Sequence, residues 1–130
     1  MAEGNIRLIV PRIIPFEEFY GVWIRNTGLE PVGLTPGVFA LAIRSEIKQG
    51  DLAAFLLIES DMVALGFYSQ LCGAICLENC NSDVELFNRN EVEYFGKIVG
   101  YGDKPVDMTM AVHIKPILLE DFSYEKAPHL

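Results

Sequence analysis

Three cysteines in regular series, Cys72, Cys76 and Cys80, are the first residues that could do chemistry. A C-x3-C-x3-C spacing sets the thiols on one side of a helix, and equally on one side of an extended strand. Thiolates so placed could serve redox exchange or contribute to a metal site. Zinc sites ordinarily draw on more closely spaced ligand pairs with further Cys or His. The only histidines, His113 and His129, are far away in sequence, and His129 lies in the C-terminal tail. Cysteine is also a common small core residue, so a structural reading stands beside the chemical one. His113 divides in the same way, between a general base and a surface or pairing residue of a strand. The acids Asp51, Glu59, Asp61, Glu91 and Glu93 fall at the ends or on the outer faces of predicted strands, where a solvated surface accounts for them. No Ser-His-Asp order and no G-x-S-x-G motif occurs. Gly96, Gly100 and Gly102 match neither a P-loop nor a dinucleotide turn, and read as bulge or turn glycines of β-structure.

The elements that must position these residues are β-like nearly throughout. Val38 to Ile43 and Leu52 to Ile58 are continuous apolar runs, too short for helices and ended by charged residues, as suits strands buried on both faces. Met62 to Tyr68 and Ala74 to Leu77 follow, with Ser69 to Gly73 as the predicted turn. Asn79 to Asp83 is a loop by composition. Glu91 to Tyr101 reads as a strand leading into a hairpin loop at Gly102-Asp103-Lys104-Pro105. Beyond it, Met108, Met110, Val112 and Ile114 alternate with Thr109, Ala111, His113 and Lys115, which predicts a two-faced strand. Short strands at this spacing favour a barrel or a folded-over sheet. The first part of the chain, 1–33, holds Pro11, Pro15 and Pro31 and reads as an aromatic-containing arm. It is expected to carry one helical turn at Phe16 to Tyr20 and to pack on its own domain or on a partner. Residues 34–118 form the predicted β-domain, and 119–130 a polar tail.

Composition narrows the function classes. The chain has 130 residues, 51% of them hydrophobic, which fits one folded domain and excludes a disordered chain. Ten Lys and Arg against 18 Asp and Glu give a net charge of −8, and the basic residues are scattered. Direct nucleic-acid binding is therefore not expected, since phosphate neutralisation needs clustered cations. No apolar run approaches the roughly 20 residues of a membrane helix. The start "MAEGNIRLIVPRIIP" lacks the apolar region of a signal peptide, because Arg7, Pro11 and Arg12 interrupt it. A cytoplasmic location with reduced cysteines is the expectation.

The order of the pieces resembles the C-terminal domain of LexA-like self-cleaving repressors and their UmuD-type relatives. "GLTPGVFALAI" is similar to the family's first strand after a Pro-containing turn. "IKQGDLAAF" resembles its run through Gly-Asp into the next strand, here Gly50 and Asp51. "AICLENCNSDVELF" resembles its strand, Asn-containing loop and short apolar-ended segment. "VEYFGKIVGYG" resembles its closing strand. The resemblance covers about residues 34–102 and implies a mainly β fold, a highly curved, folded-over sheet or small barrel with few or no helices. It also implies dimerisation through β-surfaces.

The family's chemistry uses a serine in a Ser-Met pair whose proton passes to a neutral, desolvated lysine. Here the segment from Ile43 to Gly50 is shorter than the family's, and no Ser-Met pair occurs in it. Ser45 is its only hydroxyl, followed by Glu46, whose charge opposes activation of a nucleophile. The lysine position falls at or near Gly66, and no lysine occurs between Lys48 and Lys97. No Ala-Gly pair marks an upstream cleavage site. The expectation is a non-catalytic, pseudo-peptidase version of the domain, needing no cofactor. It would act in regulation as a homodimer, or as partner to a full-length repressor or another protein. Two alternatives stand beside it: a ligand-binding or assembly-forming β-barrel unrelated to LexA, and an enzyme with a site near Cys72 and Cys76 or at His113.

Overall fold

A computed structural model describes residues 6–14, 18–25, 28–107 and 109–119. They form ten strands: β1 Arg7–Ile9, β2 Phe19–Trp23, β3 Val38–Ile43, β4 Leu52–Leu57, β5 Met62–Leu71, β6 Ala74–Glu78, β7 Val84–Phe87, β8 Val92–Asp103, β9 Ala111–His113 and β10 Lys115–Pro116. One 3₁₀ turn, Glu30–Val32, is the only helical element among the described residues. The domain is mainly β, as the apolar pattern predicts.

Seven strands run side by side in the order β2-β3-β8-β4-β5-β6-β7, and β10 adds to β8 as the eighth. The sheet does not close into a barrel: β2 and β7 remain its two ends. Closure would require these end strands to pair with each other, and no such pairing exists among the described residues.

β8 is the spine. Along residues 97–103 it pairs with β3, and along 92–97 with β4 on its other side. Two register shifts fall on it, one leaving Phe95 and the other Val99 without a paired residue. An extra residue bends the strand that carries it and raises its twist, so two bulges in one strand curve the sheet around β8. β3 and β4 flank this spine and are buried on both faces, which is why their sequences are unbroken apolar runs instead of alternating ones. On one face Ala40, Ala42, Leu52 and Ala54 pack with Val22, Ile24, Leu29, Val32, Leu34 and Ile98. On the opposite face Phe39 and Leu41 meet Ile14, Val112 and Ile114. On that face also, Ala53 and Phe55 meet Ile75, Leu77 and Val92.

The segment before Leu34 is woven into the fold. β2 pairs antiparallel with β3 in the main sheet, and β1 pairs in parallel with β9 in a separate two-stranded sheet. Phe19 and Tyr20 thus sit in a strand, not in a helical turn, in register with Ile43 and Ala42 of β3. Phe16, Met108, His129 and the tail from residue 120 lie outside the described residues.

Three local expectations change. β5 continues to Leu71, so the turn before β6 shrinks to Cys72-Gly73. β8 continues through Gly102 to Asp103, and the chain returns to it late: β9 pairs with β1, and only Lys115–Pro116 of β10 runs antiparallel against Tyr101 and Gly100. The alternation through Met110 to Lys115 holds for buried Val112 and Ile114 but not for Met110, which is 44% exposed. Gly100 and Gly102 allow this segment to lie against β8. A Cβ at Gly100 would come 2.8 Å from the Lys115 carbonyl oxygen, and one at Gly102 would come 2.7 Å from Val112 Cγ1.

Candidate functional site at the Arg44–Asp51 connection

β3 ends and β4 begins beside the same residue: Lys97 is the register partner of Ile43 on one side and of Ala53 on the other. The chain therefore only has to step across β8, two interstrand spacings or roughly 10 Å. Eight residues, Arg44 to Asp51, do this.

Each part of the connection is pinned. The Arg44 amide donates to the Glu18 carbonyl at 3.3 Å, and the Ser45 amide to that of Ile43 at 3.1 Å. Gly50 has φ +93, the left-handed region that favours glycine. Its amide donates to the Tyr68 carbonyl at 2.7 Å, and the Tyr68 amide donates back to Asp51 at 2.8 Å. Gly50-Asp51 thus extends the β4–β5 ladder past its first pair. The Asp51 carboxylate accepts from the Lys48 amide at 2.8 Å, closing the turn on itself. It also lies 3.7 Å from Lys97 Nζ. Beside this ion pair is a cavity of about 280 Å³ walled by Ile14, Val99, Ile117 and Leu119.

Tyr94 anchors the same connection from β8. Its hydroxyl donates to the Ser45 carbonyl, and its ring packs on Phe55 with centroids 5.6 Å apart. Burial pushes the Tyr94 phenol above the ordinary tyrosine value, and the nearby Asp51 carboxylate acts in the same direction against Arg44. The Ser45 hydroxyl itself points along its own chain, toward the Glu46 carbonyl at 3.4 Å. A nucleophilic serine needs a base within hydrogen-bond reach, and no such contact to Ser45 exists among the described residues.

Gly66, at or near which the resemblance sets the repressors' lysine, is buried in β5 opposite Ala53. A Cβ there would lie 2.9 Å from Leu77 Cβ and 3.0 Å from the Glu78 amide nitrogen. β6 crosses so closely that no side chain fits without moving it.

The structure separates the other candidates. Cys72 is exposed in the turn, Cys76 is buried in β6 and Cys80 is half-buried in the loop after it. Among the described residues no disulfide links the cysteines, and no three Cys, His, Asp or Glu are grouped to hold a metal ion. Cys72 has φ +54 and Gly73 φ +86, the pair of left-handed residues a two-residue hairpin turn demands. His113 is exposed on β9 opposite Ile9, with β4 and β5 lying between β8 and the cysteine strand.

Two surfaces went unread in the sequence. A groove of about 470 Å³ runs along β2, lined by Trp23, Met62, Leu65 and Phe95. At the other end of the sheet, β7 exposes Val84 (51%) and Leu86 (56%). The signal for β7 was present as the alternation in "DVELFNR", but four residues are too few to separate a strand from a loop by periodicity. No helix among the described residues is long and apolar enough to cross a membrane. Compared with known protein families and with curated proteins, the chain matches none.

Proposed function

We propose that this chain is a non-catalytic association module, a β-domain resembling that of the self-cleaving repressors, which acts by pairing with a second copy of itself. The observation that carries the reading is the uncapped end of the sheet. Among the described residues β7 presents an unpaired backbone edge together with two apolar side chains more than half exposed. Such an edge is a template for another chain. Support for the absence of peptidase chemistry comes from the dyad positions: Ser45 has no base against it, and Gly66 leaves no room for a side chain. A regulatory role, in the cytoplasm or through a full-length repressor as partner, belongs to the same reading and rests on the family resemblance.

Light scattering on the intact chain tests it. A mass of two chains is expected, with the chain remaining uncleaved on prolonged incubation. A monomer at every concentration contradicts the association reading and turns attention to the Asp51–Lys97 cavity as a ligand site. The test needs the whole chain: removing the first 24 residues would delete β2 and the buried Val22 and Ile24.

A further inference from the structure

We propose that the groove between β2 and β5 is the docking site of this chain's own C-terminal segment, residues 120–130, which lies in it extended and antiparallel to both walls. Docking of this kind needs one chain only and does not depend on association through β7. Among the described residues both walls are strand edges with unused backbone groups, and hydrogen bonds elsewhere fix which residues carry them. The Ile24 amide donates to the Val38 carbonyl at 2.9 Å, and the Arg44 amide to the Glu18 carbonyl at 3.3 Å. Bonded and non-bonded pairs alternate in an antiparallel ladder, so the even-numbered residues of β2 bond β3. Gly21 and Trp23 therefore turn their N–H and C=O groups outward. On the other wall the Tyr68 amide donates to the Asp51 carbonyl at 2.8 Å. By the same alternation Met62, Ala64 and Gly66 bond β4, and Val63 and Leu65 turn outward. β6 takes up this edge only from Phe67, opposite Glu78. Where the same register would set Cys80 against Leu65, the Cys80 amide donates instead to the Gly28 carbonyl at 3.0 Å.

The groove measures about 470 Å³, and Trp23 and Met62 are more than half exposed along it. Leu119, the last described residue, packs against the core cluster that Val22, Ile24, Leu65 and Phe95 bring to the groove's walls. Eleven residues follow it. Fully extended they reach roughly 36 Å, more than the length of either wall. Their sequence, "EDFSYEKAPHL", supplies what the groove lacks. Phe122 and Tyr124 are two apart, which puts both rings on one side of an extended chain and Ser123 and Glu125 on the other. Pro128, without an N–H, ends such a strand. Charge selects the direction. From β2 to β5 every neighbouring pair is antiparallel, in the order β2-β3-β8-β4-β5, so the two walls run in the same sense. Arg25, after β2, and Asp61, before β5, therefore mark opposite ends of the groove they line. Neither has an ion-pair partner among the described residues. A segment antiparallel to both walls brings Glu120 and Asp121 toward Arg25, and Lys126 toward Asp61. Reversed, it sets Lys126 toward Arg25 and the acids toward Asp61, and like charges brought together are destabilising. Backbone bonding to a strand edge, with alternate side chains in an apolar groove, is a recurring mode of segment recognition.

Hydrogen exchange on the full-length chain tests the docking. In the wild type the amides of Gly21, Trp23, Val63 and Leu65 are expected to exchange at least about tenfold more slowly than free amides, whatever the protein concentration. Phe122→Ser combined with Tyr124→Ser is expected to return all four to near-free exchange and to move the emission of Trp23, the only tryptophan, to longer wavelength. The Ile24 amide, bonded to β3, stays protected in that variant and reports that the fold persists. Lys126→Glu is expected to lower protection at the four amides about threefold, and Asp61→Lys combined with Lys126→Glu to restore it. Free exchange at these amides in the wild type overturns the docking. Protection that survives the double serine variant also overturns it, because something other than the tail then fills the groove. Protection that rises with concentration overturns it in favour of a second copy. A chain of monomer mass with protected edges supports the docking and removes the association reading, whereas a dimer with freely exchanging edges does the reverse.

Discussion

Gly66 and Tyr94 do opposite things to the same region, one by lacking a side chain and one by supplying it. At Gly66 the missing Cβ lets β6 approach β5, with Leu77 and Glu78 occupying the space a side chain would need. Gly66→Ala is expected to cost about 1–3 kcal/mol by overpacking. Urea denaturation checks this, and a neutral result would mean that β6 can retreat freely. Tyr94 ties β8 to the Arg44–Asp51 connection through the Ser45 carbonyl. Burial raises its phenol above the unfolded tyrosine value of about 10. The folded state thus holds the proton more tightly, and the stability this supplies is complete below pH about 10 and is lost as pH rises through the higher folded value. Denaturation midpoints taken between pH 8 and 11 should fall for the wild type and fall less for Tyr94→Phe. Neither role was legible in sequence. Gly66 was singled out only because the resemblance sets a lysine at or near it, and Tyr94 is one of five tyrosines with no local mark of its partner 49 residues away.

Among the elements, those whose burial is set by nearest neighbours were the readable ones. β3 and β4 announce themselves because both faces are covered, so no polar residue interrupts them. β9 was misread as the return arm of a hairpin. Its true partner, β1, lies about a hundred residues earlier in the chain, and no local pattern records a parallel pairing that distant. The turn before β6 was drawn too long because Ser69 and Gln70 are polar, yet they continue β5 opposite Cys76 and Ile75. The β6–β7 connection, read correctly as a loop from its composition, is also what holds β7 in register. Asn79 Oδ1 accepts from the amides of Asn81 at 2.9 Å and Asp83 at 3.0 Å. Asn79→Ala is expected to cost about 1–2 kcal/mol and to loosen β7 before the rest of the sheet. Hydrogen exchange on Glu85 and Phe87 would report this, and unchanged protection there would show that β6 alone fixes the strand.

For the molecule as a whole, the sheet is wrapped at its centre and ends in β2 and β7, which have no further strand partner among the described residues. β8 is bent by two bulges, flanked on both sides, and covered by the β1–β9 pair near one end. β7 is a short outer strand with half-exposed aliphatics and, among the described residues, no strand beyond it. A chain carrying a net charge of −8 would not associate through general attraction. Any pairing must come from a local patch where apolar contact and backbone bonding coincide, and β7 exposes Val84 and Leu86 at such a strand. The three cysteines, which looked most like chemistry in the sequence, are spread along a strand and its two ends. The residues that converge in space, Asp51, Tyr94 and Lys97, bind the connection between β3 and β4 together. The measurement that tests the account most directly is sedimentation equilibrium of the intact wild-type chain over a wide concentration range. The account predicts a reversible rise from the 14.5 kDa chain to twice that mass, with no larger species. A single species at the mass of one chain throughout, or growth beyond the dimer, would contradict it.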